Sequence, residues 1–481
     1  MSFATPVFLW VFMPAVLGAY WVLPPRRRNA VLAVASLAFY MYGAKGDVIL
    51  LLVGMALNYG AGVAIGRADS DQTRNRILAG IVIADVALLA YWKYAGFVSR
   101  QVASLGELLG DDSLPILRIA LPIGISFFTF HMLSYVIDVW RGRSAPLHRP
   151  LDFATYIAMF PQLIAGPIVR YHEISDQLEE IRTNRMDDLA AGFPRFALGL
   201  FKKVVIADTI APVADVVFGL KTGDLTTTTA WLGTVAYTLQ IYFDFSGYTD
   251  MAIGLARMFG FRFPENFARP YSSLSITDFW RRWHMSLSRW FRDYVYIALG
   301  GNRDGSARTY RNLYIVFFLT GLWHGAAWPF VLWGLYHGTL LVIERRSPRF
   351  RDAHGLPPPA SPVAHLWMRA RALALVMIGW VLFRAPDLAG AFGVLKAMFV
   401  PSGFGLELTT DVALTKERVV VIVLASLVVL LPRDFVMGRV LDTGRDTFAR
   451  SARLAVTIAG APYAAVLVAA GTFSPFLYYQ F

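Results

Sequence analysis

Apolar runs long enough to cross a lipid bilayer recur from one end of this 481-residue chain to the other. In hydrocarbon every backbone N–H and C=O must find a partner inside the protein, which leaves helices or a closed barrel as solutions. A spanning helix needs about 20 mainly apolar residues, a strand only about 10. The runs have helical lengths: Phe8 to Leu23, Val48 to Ile65, Ile77 to Trp92, Leu114 to Trp140 and Leu151 to Val169. Downstream come Leu189 to Leu220, Thr229 to Phe261, Arg311 to Ile343, Leu366 to Phe383, Arg418 to Leu431 and Leu454 to Phe473. Several could hold a span plus a shorter segment, so the length rule predicts an all-α polytopic membrane protein with about 11 to 13 embedded helices.

The formal charge of +12 sits in short loops between these runs and not in a nucleic-acid-reading module. Arg26 to Arg28, then Arg67, Arg74 and Arg76, then Arg141, Arg143 and Arg149 alternate with a loop holding Glu107, Asp111 and Asp112. Positive-inside placement then puts the basic loops in the cytoplasm and the N-terminus outside. The first run has its arginines after it and reads as an uncleaved helix. With no cysteine in the chain, thiolate chemistry, disulfides and Cys-based metal sites are excluded. Chemistry must use oxygen or imidazole.

No polar stretch is long enough for a soluble domain. The proline-rich segment 345–365 reads as a linker between a core over 1–344 and C-terminal spans over 366–481. From Ser275 to Ala298 the apolar residues recur every three or four positions, which predicts one amphipathic helix, with a Ser275–Asp278 capping box starting it near Ile276. On its other face Arg281, His284, Ser288 and Arg292 would form a stripe, and the bland placement of such a helix is in the headgroup layer.

Ionisable groups inside apolar runs are costly and need a reason. His324 is one, in GLWHGAAWPFVLWGLYHG, bracketed by Gly321 and Gly325 with Pro329 a turn later. On a continuous helix His337 would face another way, so the two imidazoles would not share a metal. Asp244 and Asp250 are two more; they could relay protons, orient a base or bind helices together. Ser126, His131 and Asp138 are too far apart along one helix to converge as a triad. Physics alone reaches a membrane enzyme or transporter with one or two functional histidines.

Five motifs go further: GISFFTFHMLSYVIDVWRG, FPQLIAGPIVRY, YFDFSGYTDMAIGLARMFGF, the run from Asn266 to Arg303, and GLWHGAAWPFVLWGLYHG. With them the chain resembles the membrane-bound O-acyltransferase (MBOAT) family, in its bacterial branch of alginate and peptidoglycan O-acetylation subunits. The resemblance runs to about Glu344; beyond it only hydropathy matches. It implies about a dozen helices around a catalytic tunnel, with the near-invariant family histidine at His324 and the second hallmark position at His284. His131 stands where relatives more often have glutamine. The implied chemistry uses cytoplasmic acetyl-coenzyme A as donor substrate, with no bound cofactor or metal. His324 would be the general base, and His284 would orient the thioester or polarise its carbonyl. Arg281 and Arg282 would meet phosphates, Ser288, Trp323 and Tyr242 would line the substrate path, and Asp244 and Asp250 would support the network. The resemblance also implies a bacterial inner-membrane location, an outer-side protein that receives the acetyl group, and a polysaccharide or cell-wall polymer as final acceptor. Transport of an acyl carrier or polymer, or transfer to a lipid or D-alanyl acceptor, stay open as alternatives.

Overall fold

The computed structural model describes residues 2–347 except 112 and 183, 361–431, 435–471 except 445, and 476–477. Asp112 and the linker prolines at 348 and 357–359 lie outside the described residues. Among the described residues every regular element is helical, as the apolar run lengths require. By length and composition, Pro25–Arg67, Asp71–Leu108, Pro362–Arg384 and Thr447–Ala469 are sufficient to cross a membrane. The chain is a multi-pass membrane protein.

The backbone forms two compact units, Met1–Phe193 with Ala252–Pro264, and Pro194–Met251 with Glu265–Phe481. In the first, Val48–Arg67, Asp71–Leu108 and Ile125–Trp140 pack against one another. Small residues make that approach possible: a side chain at Gly62 would overlap the Tyr135 ring. Two of the apolar runs are broken. In Leu114 to Trp140 the helix starts only at Ile125, after Gly124 adopts φ +76° with Leu163 O 2.9 Å from where a Cβ would stand. In Leu151 to Val169, Pro150–Ala158 gives way to the short Phe160–Leu163, then to buried non-helical chain. The Ser36 hydroxyl accepts from Phe160 N there (3.0 Å) and supplies the partner that the break would otherwise remove.

In the second unit Ser306–His324 and Trp328–Arg346 form an antiparallel hairpin joined by Gly325 to Ala327. This corrects the expectation of one continuous helix through His324 and His337. Pro329 does not interrupt a helix; it occupies the first turn of the second one, where its missing N–H is no loss. Gly321 and Gly334 meet face to face, and a Cβ at Gly334 would lie 3.2 Å from Gly321 Cα. Pro362–Arg384 packs on the second arm, where Gly379 leaves room for the His337 imidazole 2.7 Å from its absent Cβ.

Candidate active site

The predicted amphipathic helix over 275–298 is three pieces, Ile276–Trp280, Met285–Phe291 and the wider-wound Arg292–Tyr296 that continues the second. It starts at Ile276, where the capping box places it, with the Ser275 hydroxyl accepting from Asp278 N (3.0 Å). Glu344, from the far end of the hairpin, adds a second cap: its carboxylate accepts from Ile276 N (2.7 Å), Thr277 N (2.8 Å) and the Thr277 hydroxyl (2.7 Å). Acidic groups are favoured at this helix end, where free N–H groups carry partial positive charge. The helix stops at Trp280, and the next, Met285–Phe291, begins only after His284 turns to φ +44°, ψ +54°. A non-glycine residue in that left-handed region is uncommon and clusters at functional positions.

That turn swings His284 out of the expected stripe. Its side chain is fully buried, while Arg281 and Arg292 remain at the surface. Asn266 holds it there: Oδ1 lies 3.1 Å from His284 Nδ1 and accepts from Ser286 N (3.0 Å) and Ser286 Oγ (2.9 Å). The Ser286 amide can only donate, so the Asn266 atom facing it is the oxygen, and His284 Nδ1 carries a hydrogen. A neutral His284 therefore presents a lone pair at Nε2. Polarising a carbonyl from that atom would require the imidazolium. Backbone bonds from Met285 N to Asn266 O and from Ala268 N to Arg282 O (both 2.9 Å) fix the two segments side by side.

His324 closes the first arm of the hairpin and is 4% exposed. Its ring is boxed by Trp323 (centroids 4.8 Å), Trp333 (5.0 Å) and Phe383 (5.0 Å). Trp323 also lies 5.8 Å from the His284 ring, whose other edge meets Phe245 at 4.7 Å. One indole thus touches both imidazoles. His337 joins the same aromatic group through Trp333 (5.1 Å) and accepts at Nδ1 from Trp280 Nε1 (3.4 Å).

The remaining stripe residues meet elsewhere. Arg281, Ser288 and Arg292, with Arg345, rim a cavity of about 270 Å³ whose floor is Trp280, Leu287, Phe291 and Phe317. Basic groups over an apolar slot suit an anionic ligand with an apolar arm. Arg282 is not at this rim; it bridges Asp278 Oδ1 (2.9 Å) and Ala268 O (3.0 Å). Tyr242 packs on Tyr271 (5.3 Å) and on Trp283 (6.4 Å), the residue before His284.

Asp244 and Asp250 are engaged by cations. A side chain at Gly199 would strike the Gly247 carbonyl, so the helices over 194–219 and Thr227–Met258 touch backbone to backbone. That approach sets Lys203 Nζ 2.8 Å from Asp244 and 2.5 Å from Asp208, and Lys202 Nζ 2.6 Å from Asp250. Arg195 bonds Asp250 (2.7 Å) and grips both oxygens of Glu265 (2.9 and 2.8 Å), one residue before Asn266. Of the three readings of these aspartates, the geometry fits that of binding helices together.

Residues 68–383 match the family described as MBOAT, membrane-bound O-acyltransferase family. The chain is 45% identical over 430 residues to a "Probable alginate O-acetylase AlgI" of Azotobacter vinelandii, covering 89% of this chain and 84% of that protein. It is 36% identical over 438 residues to a "Peptidoglycan O-acetyltransferase" of Helicobacter pylori, covering 84% and 81%. Over 237 residues it is 33% identical to a "Teichoic acid D-alanyltransferase" of Bacillus subtilis, covering 46% and 58%.

Proposed function

Because the chain belongs to the membrane-bound O-acyltransferase family, and so is an O-acyltransferase, we propose that it moves acetyl groups from cytoplasmic acetyl-coenzyme A towards an extracellular polymer. The acceptor we favour is an alginate-like polysaccharide or a cell-wall glycan, because the relatives matched over most of their length carry O-acetylation names. The membrane is the inner membrane of a bacterium. A partner on its outer face takes the acetyl group and completes delivery, since a polymer outside cannot reach a cytoplasmic thioester.

The observation that carries this reading is Trp323 lying against both His284 and His324. Two buried imidazoles in one aromatic pocket can take up a proton and hand it back. His324 takes the proton of the attacking hydroxyl as the C–O bond forms, and returns it to the departing thiolate as the C–S bond breaks. His284, with Nδ1–H held by Asn266, has its Nε2 lone pair left to accept from a substrate N–H or O–H other than the proton that His324 takes, and so orients the substrate. The rim of Arg281, Arg292 and Arg345 meets the phosphates of the donor, with its apolar arm on the cavity floor.

Release of free coenzyme A from labelled acetyl-coenzyme A by purified protein in lipid tests this reading. His324→Ala at matched expression is expected to lose about 100-fold or more, the scale of general-base catalysis. A native chain that releases none, even with its outer acceptor supplied, would bring forward transport without ester chemistry.

A further inference from the structure

Asp71–Leu108 turns almost all of its apolar surface outward, yet Asp85 is 6% exposed and has no ion-pair partner among the described residues. Opposite it, on Val48–Arg67, stands Asn58, fully buried. Asn58 Nδ2 donates one hydrogen to Gly54 O (3.1 Å) and the other to Asp85 Oδ1 (3.0 Å). Two atoms are left over, Asp85 Oδ2 and Asn58 Oδ1, and neither has a hydrogen-bond donor among the described residues. Both are acceptors when the carboxyl is ionised, and a medium without water offers neither of them a donor. Turning the amide over does not help: it would set its oxygen against Asp85 and give up the bond to Gly54.

A single hydrogen on Asp85 Oδ2 satisfies both atoms. We propose that Asp85 and Asn58 form a proton-binding site within the membrane, a carboxylic acid and a carboxamide joined by two reciprocal hydrogen bonds. Asp85 Oδ2–H donates to Asn58 Oδ1 while Asn58 Nδ2–H donates to Asp85 Oδ1, and every donor and acceptor of the pair is then used. The neutral form also removes the charge that hydrocarbon disfavours. The one other ionisable group that Asp71–Leu108 buries is Lys93, two turns on, and its hydrogen bond runs to Ser126 on Ile125–Trp140 (3.4 Å). The ionisable groups that Ile125–Trp140 brings to the same packing are His131, Tyr135 and Asp138; Tyr135 lies over Gly62 and Asp138 bonds His172 (2.8 Å). The bound proton therefore holds Val48–Arg67 and Asp71–Leu108 together, and raising the pH empties the site and loosens them.

Infrared spectra of the full-length protein in lipid vesicles, together with its thermal unfolding in detergent, test the site without reference to acyl transfer. Near neutral pH the native chain is expected to show a protonated-carboxyl C=O band that Asp85→Asn lacks. Asp85→Asn, which can form an amide–amide pair of the same shape, keeps the native unfolding temperature and holds it into alkaline solution, where the native chain declines; Asp85→Ala unfolds lower at every pH. Identical carboxyl regions in the native and Asp85→Asn spectra would overturn the proposal. So would stabilisation of the native chain by added sodium or potassium without a carboxyl band, which would make the missing partner a metal cation.

Discussion

His284 is held by Asn266, whose side-chain oxygen gathers the imidazole Nδ1 and both polar hydrogens of Ser286 at one point. The carboxamide fixes the imidazole's direction, its tautomer and the left-handed turn that carries it.

Asn266→Ala removes the acceptor for three buried donors. Each unsatisfied donor costs about 1–3 kcal/mol, so a lower unfolding temperature and a loss of kcat with little change in KM for the donor are expected. Asn266→Asp, which keeps an oxygen there, should recover more of kcat than alanine does; steady-state kinetics and thermal unfolding of both variants check this.

Asp250→Ala leaves Lys202 without its carboxylate and Arg195 with Glu265 alone. Breaking a buried ion pair by removing one partner costs about 3–5 kcal/mol. The expected outcome is a sharp fall in folded yield with turnover per folded molecule largely retained. A kcat collapse in well-folded Asp250→Ala would instead give that aspartate a part in proton transfer.

At the cavity rim, Arg281→Ala is expected to raise KM for acetyl-coenzyme A about tenfold and to leave kcat near native, the loss of one charge-assisted bond of about 1.5 kcal/mol. Arg282→Ala should act on stability, because its guanidinium is spent on Asp278 and Ala268. Kinetics of the two variants side by side separate these roles.

In the polar connection before Lys416–Leu430, Glu407 accepts from the Thr409 hydroxyl (2.5 Å) and from Thr409 N and Thr410 N (3.0 Å each). These bonds hold its carboxyl from 4.5 down to about 2. A group depressed on folding stabilises above its ordinary value and loses that contribution as pH falls towards its folded one. Glu407→Gln should therefore lower the unfolding temperature at neutral pH, with the difference from native narrowing between pH 4 and 2 as the acid titration of both chains is followed.

The fold class was legible in the apolar run lengths, and the start of the helix at Ile276 in the pair Ser275 and Asp278. The turn at His284 was not, because histidine, although commoner than most residues at positive φ, does not by itself place a turn, and the force that imposes it comes from Asn266, 18 residues upstream. Nor was the break after His324 visible in hydropathy, although the GAAWP sequence offered a connector and a proline suited to a first helical turn. Asp244 and Asp250 stood out as anomalies in one apolar run. Arg195, Lys202 and Lys203 are the matching anomalies in the run before it, and pairing the two sets by charge would have found the ion pairs. The cavity rim was half legible: three of the four stripe residues share it, and only the backbone turn removes the fourth.

The carboxylate of Glu344 that caps Ile276 and Thr277 also sets an order of assembly. As the chain leaves the ribosome, His284 and His324 are both made before the residue that anchors the helix leading to the first of them, and before Phe383, which closes the box around the second. A nascent chain stopped short of Glu344 carries both imidazoles but not the frame that aims them, so the pocket forms only once its last contributing helix, Pro362–Arg384, has been threaded into place.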